Sequence, residues 1–303
     1  MNHKHGKSTT LSPLISVVIP AYNAEKHIEE TLQSVFNQTY KNIEILVIDD
    51  GSSDNTLQIL KKYENRLNIF SQKNTGVAKA RNFAAEKSNG EWLAFIDSDD
   101  RWLPDKISIQ FSNLGNNNWS HTNSVYIGHN QDGKTKRSDL NHQFGGHVFD
   151  KLIIDNFITT STVLIKKDIF ITHGGFDESL KALEDWKLWL EISLIEPLNY
   201  NDKVLAEYRV TPGSTSRKGR EVLPLHIELI NYFFNNKNEL KGKAHLKNKA
   251  LFNSYNICSY IAEDANDHIF SLQCAAKAWN HKMLNVGSTK RLLRTILNAI
   301  SSR

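Results

Sequence analysis

Cysteine is almost missing from this chain. Only Cys258 and Cys274 occur, both late and in no metal-like spacing. That excludes a disulfide scaffold or a zinc site and suits a reducing cytoplasm. Long apolar runs are missing too. The longest are strand-sized, far short of a bilayer span. The polar, His- and Lys-bearing stretch 1–12 lacks a hydrophobic signal core and reads as a tail. No aromatic-and-basic recognition motif is present, so a nucleic-acid partner is not expected. No segment repeats at a fixed period.

What remains is the composition of an ordinary soluble domain: 303 residues, 40% hydrophobic and 23% charged. That length suffices for one large domain or two modest ones. The net charge of +4 is unevenly placed. From Thr215 onward there are 14 Lys/Arg and 6 Asp/Glu, a net of +8, so residues 1–214 carry −4. An acidic front and a basic rear imply separate tasks.

The front third alternates two periodicities. Strand-like runs cover Ile15–Pro20, Ile43–Ile48, Leu67–Phe70 and Trp92–Ile96. Between them, helical spacing covers 27–38, Asn55–Tyr63 and Val77–Lys87, the first with Ile28, Leu32, Val35 and Phe36 on one face. Four strands alternating with three helices predict βαβ units and a parallel sheet with right-handed crossovers. Near-continuous apolar strands predict cover on both faces. The middle predicts strands at Trp119–Gly128, Ser161–Ile165 and Val204–Val210, a turn at Gln131-Asp132-Gly133, and a helix spanning Glu184 to Ile195. From Glu221 the pattern is helical, near 221–235, 243–261, 266–282 and 288–300.

Ligands of an open parallel sheet bind at the carboxyl ends of its strands. Here those ends carry Pro20-Ala21-Tyr22-Asn23, Asp49-Asp50-Gly51-Ser52, Lys73-Asn74-Thr75-Gly76 and Asp97-Ser98-Asp99-Asp100. Side-by-side carboxylates repel unless a cation or donor offsets them. Asp97, Asp99 and Asp100 therefore suit a hard divalent ion, Mg²⁺ or Mn²⁺, which takes one or two carboxylates and completes its shell with phosphate and water. A solvated helix cap is the plainer account of a lone Asp-x-Asp. Asp49 and Asp50 suit a ribose hydroxyl or base N–H, or simply a turn. Tyr22 suits stacking on a base, or packing. Lys79 and Arg81, in the first turns of a helix, suit a phosphate, or a solvated face. Glu184 and Asp185 stand in a first helical turn, where acids are favourable in any case.

Four segments together resemble glycosyltransferase family 2: ISVVIPAYNAEKHIEETLQSVFNQTYKNIEILVIDDGSSDNT, NTGVAKARNFAAEKSNGEWLAFIDSDDRWLPDKI, TTSTVLIKK and GGFDESLKALEDWKLWLEI, which cover most of residues 14–195 in the family's order. The resemblance implies an α/β GT-A fold, a doubly wound, mostly parallel, Rossmann-like sheet, here with an appended C-terminal helical segment. It divides the chain into a glycosyltransferase domain over 13–215, with a nucleotide-sugar part (13–125) and an acceptor part (126–215), and a basic helical segment over 216–303. It implies that Tyr22 and Asp50 contact the nucleobase and that Pro20 and Ala21 line its pocket through backbone. Arg81, Asp97 and Ser98 would hold the ribose and diphosphate, Asp99 would be the metal ligand, and Asp185 the catalytic base. The implied reaction is metal-dependent, inverting transfer from a nucleotide-diphosphate sugar, UDP- or dTDP-linked, to a glycan or lipid-linked acceptor in surface polysaccharide synthesis.

The chain also departs from the family. Thr211 stands where many relatives carry a histidine after Tyr208-Arg209, and the Gln-x-x-Arg-Trp pattern of processive synthases is missing, which favours single-sugar transfer. A nucleotidyltransferase would carry a glycine-rich loop after the first strand, where this chain has PAYNAE. A non-catalytic nucleotide-sugar-binding module is the other alternative, which the intact Asp97, Asp99 and Asp185 oppose. Lys282–Arg303 holds five basic residues and no acid. Within it, Leu292, Leu293, Ile296, Leu297 and Ile300 recur at helical spacing. Residues 288–303 thus suit a helix lying on an anionic membrane at its cytoplasmic face, or one packed on the preceding helices.

Overall fold

A computed structural model describes residues 12–129, 131–211, 217–281 and 294–296. Its first four strands are β1 (Ile15–Ala21), β2 (Ile43–Asp49), β3 (Asn68–Ser71) and β4 (Trp92–Phe95). They lie in the order β3-β2-β1-β4 and pair in parallel throughout, Ile15 opposite Ile43 and Trp92. The helices α1 (Ile28–Phe36), α2 (Thr56–Lys61) and α3 (Val77–Lys87) connect them. Alternate side chains go to opposite faces, as the pleat requires. Val17, Ile19, Ile45, Val47 and Ala94 enter one buried cluster, with Ile28 and Leu32 of α1. Val18, Leu46, Ile48, Leu93 and Phe95 enter another, with Ala80 and Ala84 of α3. This two-sided burial is the physical content of the continuous apolar runs.

The second half of the sheet is mixed. After β5 (Arg101–Trp102) and α4 (Lys106–Ser112) come β6 (Trp119–Gly128), β7 (Gln131–Lys136), α5 (Arg137–Leu140), α6 (Phe149–Leu152), β8 (Leu164–Lys166), α7 (Lys167–Thr172), α8 (Glu184–Ser193) and β9 (Asn199–Arg209). Beyond β4 the order runs β8-β6-β9-β5, with β7 alongside β6. Here β8 is antiparallel to both β4 and β6, and β9 is parallel to β6. The turn expected at Gln131-Asp132-Gly133 is instead the start of β7, with Asp132 opposite Ile127. Turn-forming residues are tolerated there because β7 pairs on one side only, at the edge of the sheet. Leu164 is where the strand expected from Ser161 begins; Thr160–Thr162 form a 3₁₀ turn ahead of it.

Three long helices follow: α9 (Gly219–Asn236), α10 (Ala244–Asp264) and α11 (His268–Asn280). Leu229, Ile230 and Phe233 of α9 share a core cluster with Trp186 and Trp189 of α8, so this segment is seated on the sheet's helical layer. Cys258 and Cys274 are buried free thiols in a small cluster with Leu223. Burial pushes them up, Cys258 to about 12 and Cys274 to about 11. Among the described residues no helix is long and apolar enough to cross a membrane. The stretch 288–303 lies outside the described residues except 294–296, where Arg294 pairs with Glu263 of α10 at 3.2 Å and Thr295 is buried.

Candidate active site

The ends of β1, β2 and β4 open on one sheet edge, and α8 closes it from the side. Pro20 and Ala21 are buried at the end of β1. The Ala21 carbonyl accepts from the Asp50 amide at 2.8 Å, which ties the first two strand ends together. Tyr22, the next residue, is 52% exposed at this edge.

Asp50 is buried and bonded on both oxygens. Its Oδ1 accepts from Gln72 Nε2 at 2.8 Å and the Thr75 amide at 2.9 Å; Oδ2 accepts from the Gly76 amide at 2.9 Å. The anion expected at the N-terminus of α3 is thus partly supplied by the chain itself. A carboxylate has about four acceptor sites, so Oδ2 keeps one free. Gly51, between this carboxylate and the Ser52 turn, sits at φ +77° with the Asn74 amide 2.7 Å from where a Cβ would stand. A side chain there would push the two loops apart.

Arg81 is not on the solvated face of α3. It is buried, with Nη2 on Asp97 Oδ1 at 2.6 Å and Nη1 on Glu184 Oε1 at 2.9 Å. Burial works against its charge, but Asp97 and Glu184 more than offset that and hold the guanidinium above its ordinary value. The arginine thereby joins the aspartate loop after β4 to the start of α8. Lys79 remains exposed.

The aspartate loop divides its labour. Asp100 is buried; it accepts from the Arg209 amide at 2.7 Å and from the Ser161 hydroxyl. Burial, then the charges of Asp97 and Asp99, raise its carboxyl well above the usual range. Asp97 gives one oxygen to Arg81. Ser98 is half-buried in the turn. Asp99 receives no side-chain donor among the described residues; burial, then the charge of Asp97, push it up to about 6. Among the described residues no three His, Cys, Asp or Glu side chains converge as a ready cation cage. The donor set fits an Mg²⁺ or Mn²⁺ that takes one or two carboxylates and fills its shell from phosphate and water. Asp99 would be the carboxylate to hold it.

Asp185 stands half-buried in the first turn of α8, after Leu183 at φ +67°. Its Oδ1 accepts from the Trp186 amide at 2.6 Å and its Oδ2 from the Thr160 hydroxyl at 3.1 Å. Glu184 beside it turns inward to Arg81; burial, then the charge of Asp185, raise its carboxyl. Thr211 follows β9, and 212–216 lie outside the described residues.

The structure therefore joins Asp97, Arg81, Glu184 and the Asp185 helix into one network, with Tyr22 and Asp50 at the neighbouring strand ends. Thr160, Ser161 and Arg209 belong to it without having been assigned roles from sequence. The hydroxyl run Thr159–Thr162 directly ahead of a strand was the available signal. Two surface grooves, of about 710 and 560 Å³, lie elsewhere. The first runs along α9 past Leu223, Ile227 and Phe270, the second past Glu29, Glu30 and Pro104. The candidate site is the shelf formed by these strand ends and the start of α8.

Comparison with known proteins places residues 16–175 within the model of "Glycosyl transferase family 2". An uncharacterized glycosyltransferase of Rickettsia bellii is 34% identical over 67% of this chain and 29% of its own length. The match spans about a third of the length of three such relatives, from Rickettsia bellii, Rickettsia felis and Rickettsia conorii. The putative teichuronic acid biosynthesis glycosyltransferase TuaG of Bacillus subtilis is 32% identical over 69% of this chain and 83% of its own. WfgD of Escherichia coli, a UDP-Glc:alpha-D-GlcNAc-diphosphoundecaprenol beta-1,3-glucosyltransferase, is 30% identical over 74% and 87%. Among solved structures, S. aureus TarS 1-349 with UDP-GlcNAc superposes with a TM-score of 0.56 at 21% identity, covering 88% of each chain. The Pyrobaculum calidifontis mannosyltransferase PcManGT with GDP-Man and Mn²⁺ gives 0.64 at 17%, covering 96% of this chain and 81% of its own. The shared architecture is the GT-A fold.

Proposed function

Because the chain belongs to glycosyltransferase family 2, we propose that it transfers a single sugar, with inversion, from a nucleotide-diphosphate sugar to a hydroxyl of a glycan or lipid-linked acceptor. Surface polysaccharide synthesis is the proposed setting. TuaG and WfgD, whose names carry teichuronic acid synthesis and a diphosphoundecaprenol acceptor, support that class. A UDP- or dTDP-sugar is the proposed donor; TarS with UDP-GlcNAc supports a uridine nucleotide. The observation that carries the reading is the Asp97–Arg81–Glu184 bridge, which brings the aspartate loop and Asp185 to one shelf.

In this reading exposed Tyr22 stacks on the base and the free site on Asp50 Oδ2 takes a base N–H. Pro20 and Ala21 wall the pocket through backbone. Asp97 and Ser98 meet the ribose and diphosphate, and Asp99 holds the divalent ion. When bound, that ion neutralises charge growing on the leaving diphosphate. Asp185 removes the acceptor proton as the hydroxyl oxygen bonds to the anomeric carbon. The bond from that carbon to the diphosphate oxygen breaks, and its electron pair leaves with the nucleotide. Attack opposite the leaving group inverts the centre. General-base help of this kind is worth about 10²–10⁴-fold.

The test is a thermal-shift screen of UDP, dTDP and GDP with and without Mn²⁺, followed by nucleotide release from the matching sugars. A ligand that favours the folded state raises its midpoint. A UDP shift that needs Mn²⁺, with slow nucleotide release, is the expected result. Binding without any release, even with acceptor glycans, would make the chain a binding module.

A further inference from the structure

We propose that Thr160 is the positioning residue of the base: its hydroxyl sets the plane in which Asp185 receives the acceptor's proton. This rests on the reading of Asp185 as base.

A carboxylate turns about its last torsion, and a single hydrogen bond leaves much of that freedom. Asp185 is pinned on both oxygens, by its helix neighbour's amide on Oδ1 and by Thr160 on Oδ2. Trp186 belongs to α8 and moves with Asp185. Thr160 comes from a different element, so its bond registers the carboxylate itself against the rest of the shelf. One acceptor site per oxygen remains for an incoming O–H.

The mount is rigid. Thr160 is only 6% exposed, so water does not compete for its hydroxyl. Within the turn, Thr162 Oγ1 donates to the Thr159 carbonyl at 2.7 Å and the Val163 amide to the Thr160 carbonyl at 3.0 Å. From outside, Trp102 Nε1 donates to the Ser161 carbonyl at 2.6 Å and Gln110 Nε2 to the Thr162 carbonyl at 2.9 Å. The adjacent hydroxyl serves the other half of the site. Ser161 Oγ accepts from the Asp97 amide at 3.0 Å and donates to Asp100. Two successive hydroxyls on one turn therefore set the separation between the aspartate loop and the base.

The experiment uses the full chain with UDP-GlcNAc or UDP-glucose and Mn²⁺, reading nucleotide release. Thr160→Val keeps the shape and removes the donor. It should lower kcat about tenfold, the scale of one hydrogen bond to a charged group, with donor KM unchanged. Thr160→Ser should restore most of the rate. A kcat for Thr160→Val equal to wild type, while Asp185→Asn is inactive, would overturn the role of Thr160 alone. An Asp185→Asn enzyme as fast as wild type would remove the base reading, and this inference with it. A crystal structure of Thr160→Val tests the same point without turnover. A rotated or split Asp185 carboxylate is expected, and one that stays in place refutes the proposal.

Discussion

At the end of β2 the carboxylate of Asp50 accepts from three residues of the β3–α3 loop, Gln72, Thr75 and Gly76. At the end of β4, one strand beyond β1, Asp99 has no side-chain donor among the described residues and is pushed up to about 6 by burial and by Asp97. The two corners share a sheet edge and a residue type, yet one is held by a set of hydrogen bonds and the other is offset by its own backbone amide and the nearby charge of Arg209. Buried anions are tolerated where hydrogen bonds replace the lost water. Asp50 follows that rule within the apoprotein. At Asp99 the charge of Arg209 works against the rise that burial and Asp97 cause. The difference shows that acidic residues at strand ends are distinguished by their donors and not by their position.

Substitution should separate the corners. The largest effect belongs to Asp99→Asn. Nucleotide release in Mn²⁺ should fall by at least about 10²-fold, the scale for losing a charge-stabilising group. Thermal stability of the apoprotein should hold or rise, because a like charge leaves the loop. A melting point that drops with activity retained would make Asp99 a structural joint like Asp50. The reverse signature is expected of Asp50→Ala. It strands the Thr75 and Gly76 amides, so the apoprotein should lose about 1–3 kcal/mol in urea unfolding. UDP affinity should fall with it, and an unchanged unfolding midpoint would show that the loop does not depend on Asp50. The smallest effect is Tyr22→Ala. UDP binding should weaken by about 1 kcal/mol, as for one aromatic contact, with no change in melting because the ring is exposed. Calorimetric affinity equal to wild type would remove Tyr22 from the base pocket.

Much of the parallel half was legible along the chain. Val77–Lys87 begins and ends where Gly76 and its spacing indicate, and Ile28, Leu32 and Val35 are the buried face of α1. Local periodicity suffices there, because each strand and helix is long enough to show its period and most of the pairings join elements close in sequence. The second half was less legible. Arg101–Trp102 is too short to show a period, and it pairs with Glu207 and Ala206, a hundred residues away. The segment Gln131–Lys136 looks like a turn by composition, and its strand state comes from β6 beside it.

The sequence by itself determined which residue types stand at the strand ends: two aspartate clusters, a tyrosine, and an acidic pair opening a helix. Hydrophobic periodicity carries that information, since it marks where each strand stops. Only the tertiary structure decided what each group does. Arg81, which its place on a helix offers equally to a phosphate, is buried between Asp97 and Glu184, residues 16 and 103 positions away. Thr160 meets Asp185 across 25 residues. Such partnerships depend on how whole elements pack, and no local pattern encodes them. Charge type is a property of the chain, whereas the compensation of that charge is a property of the fold.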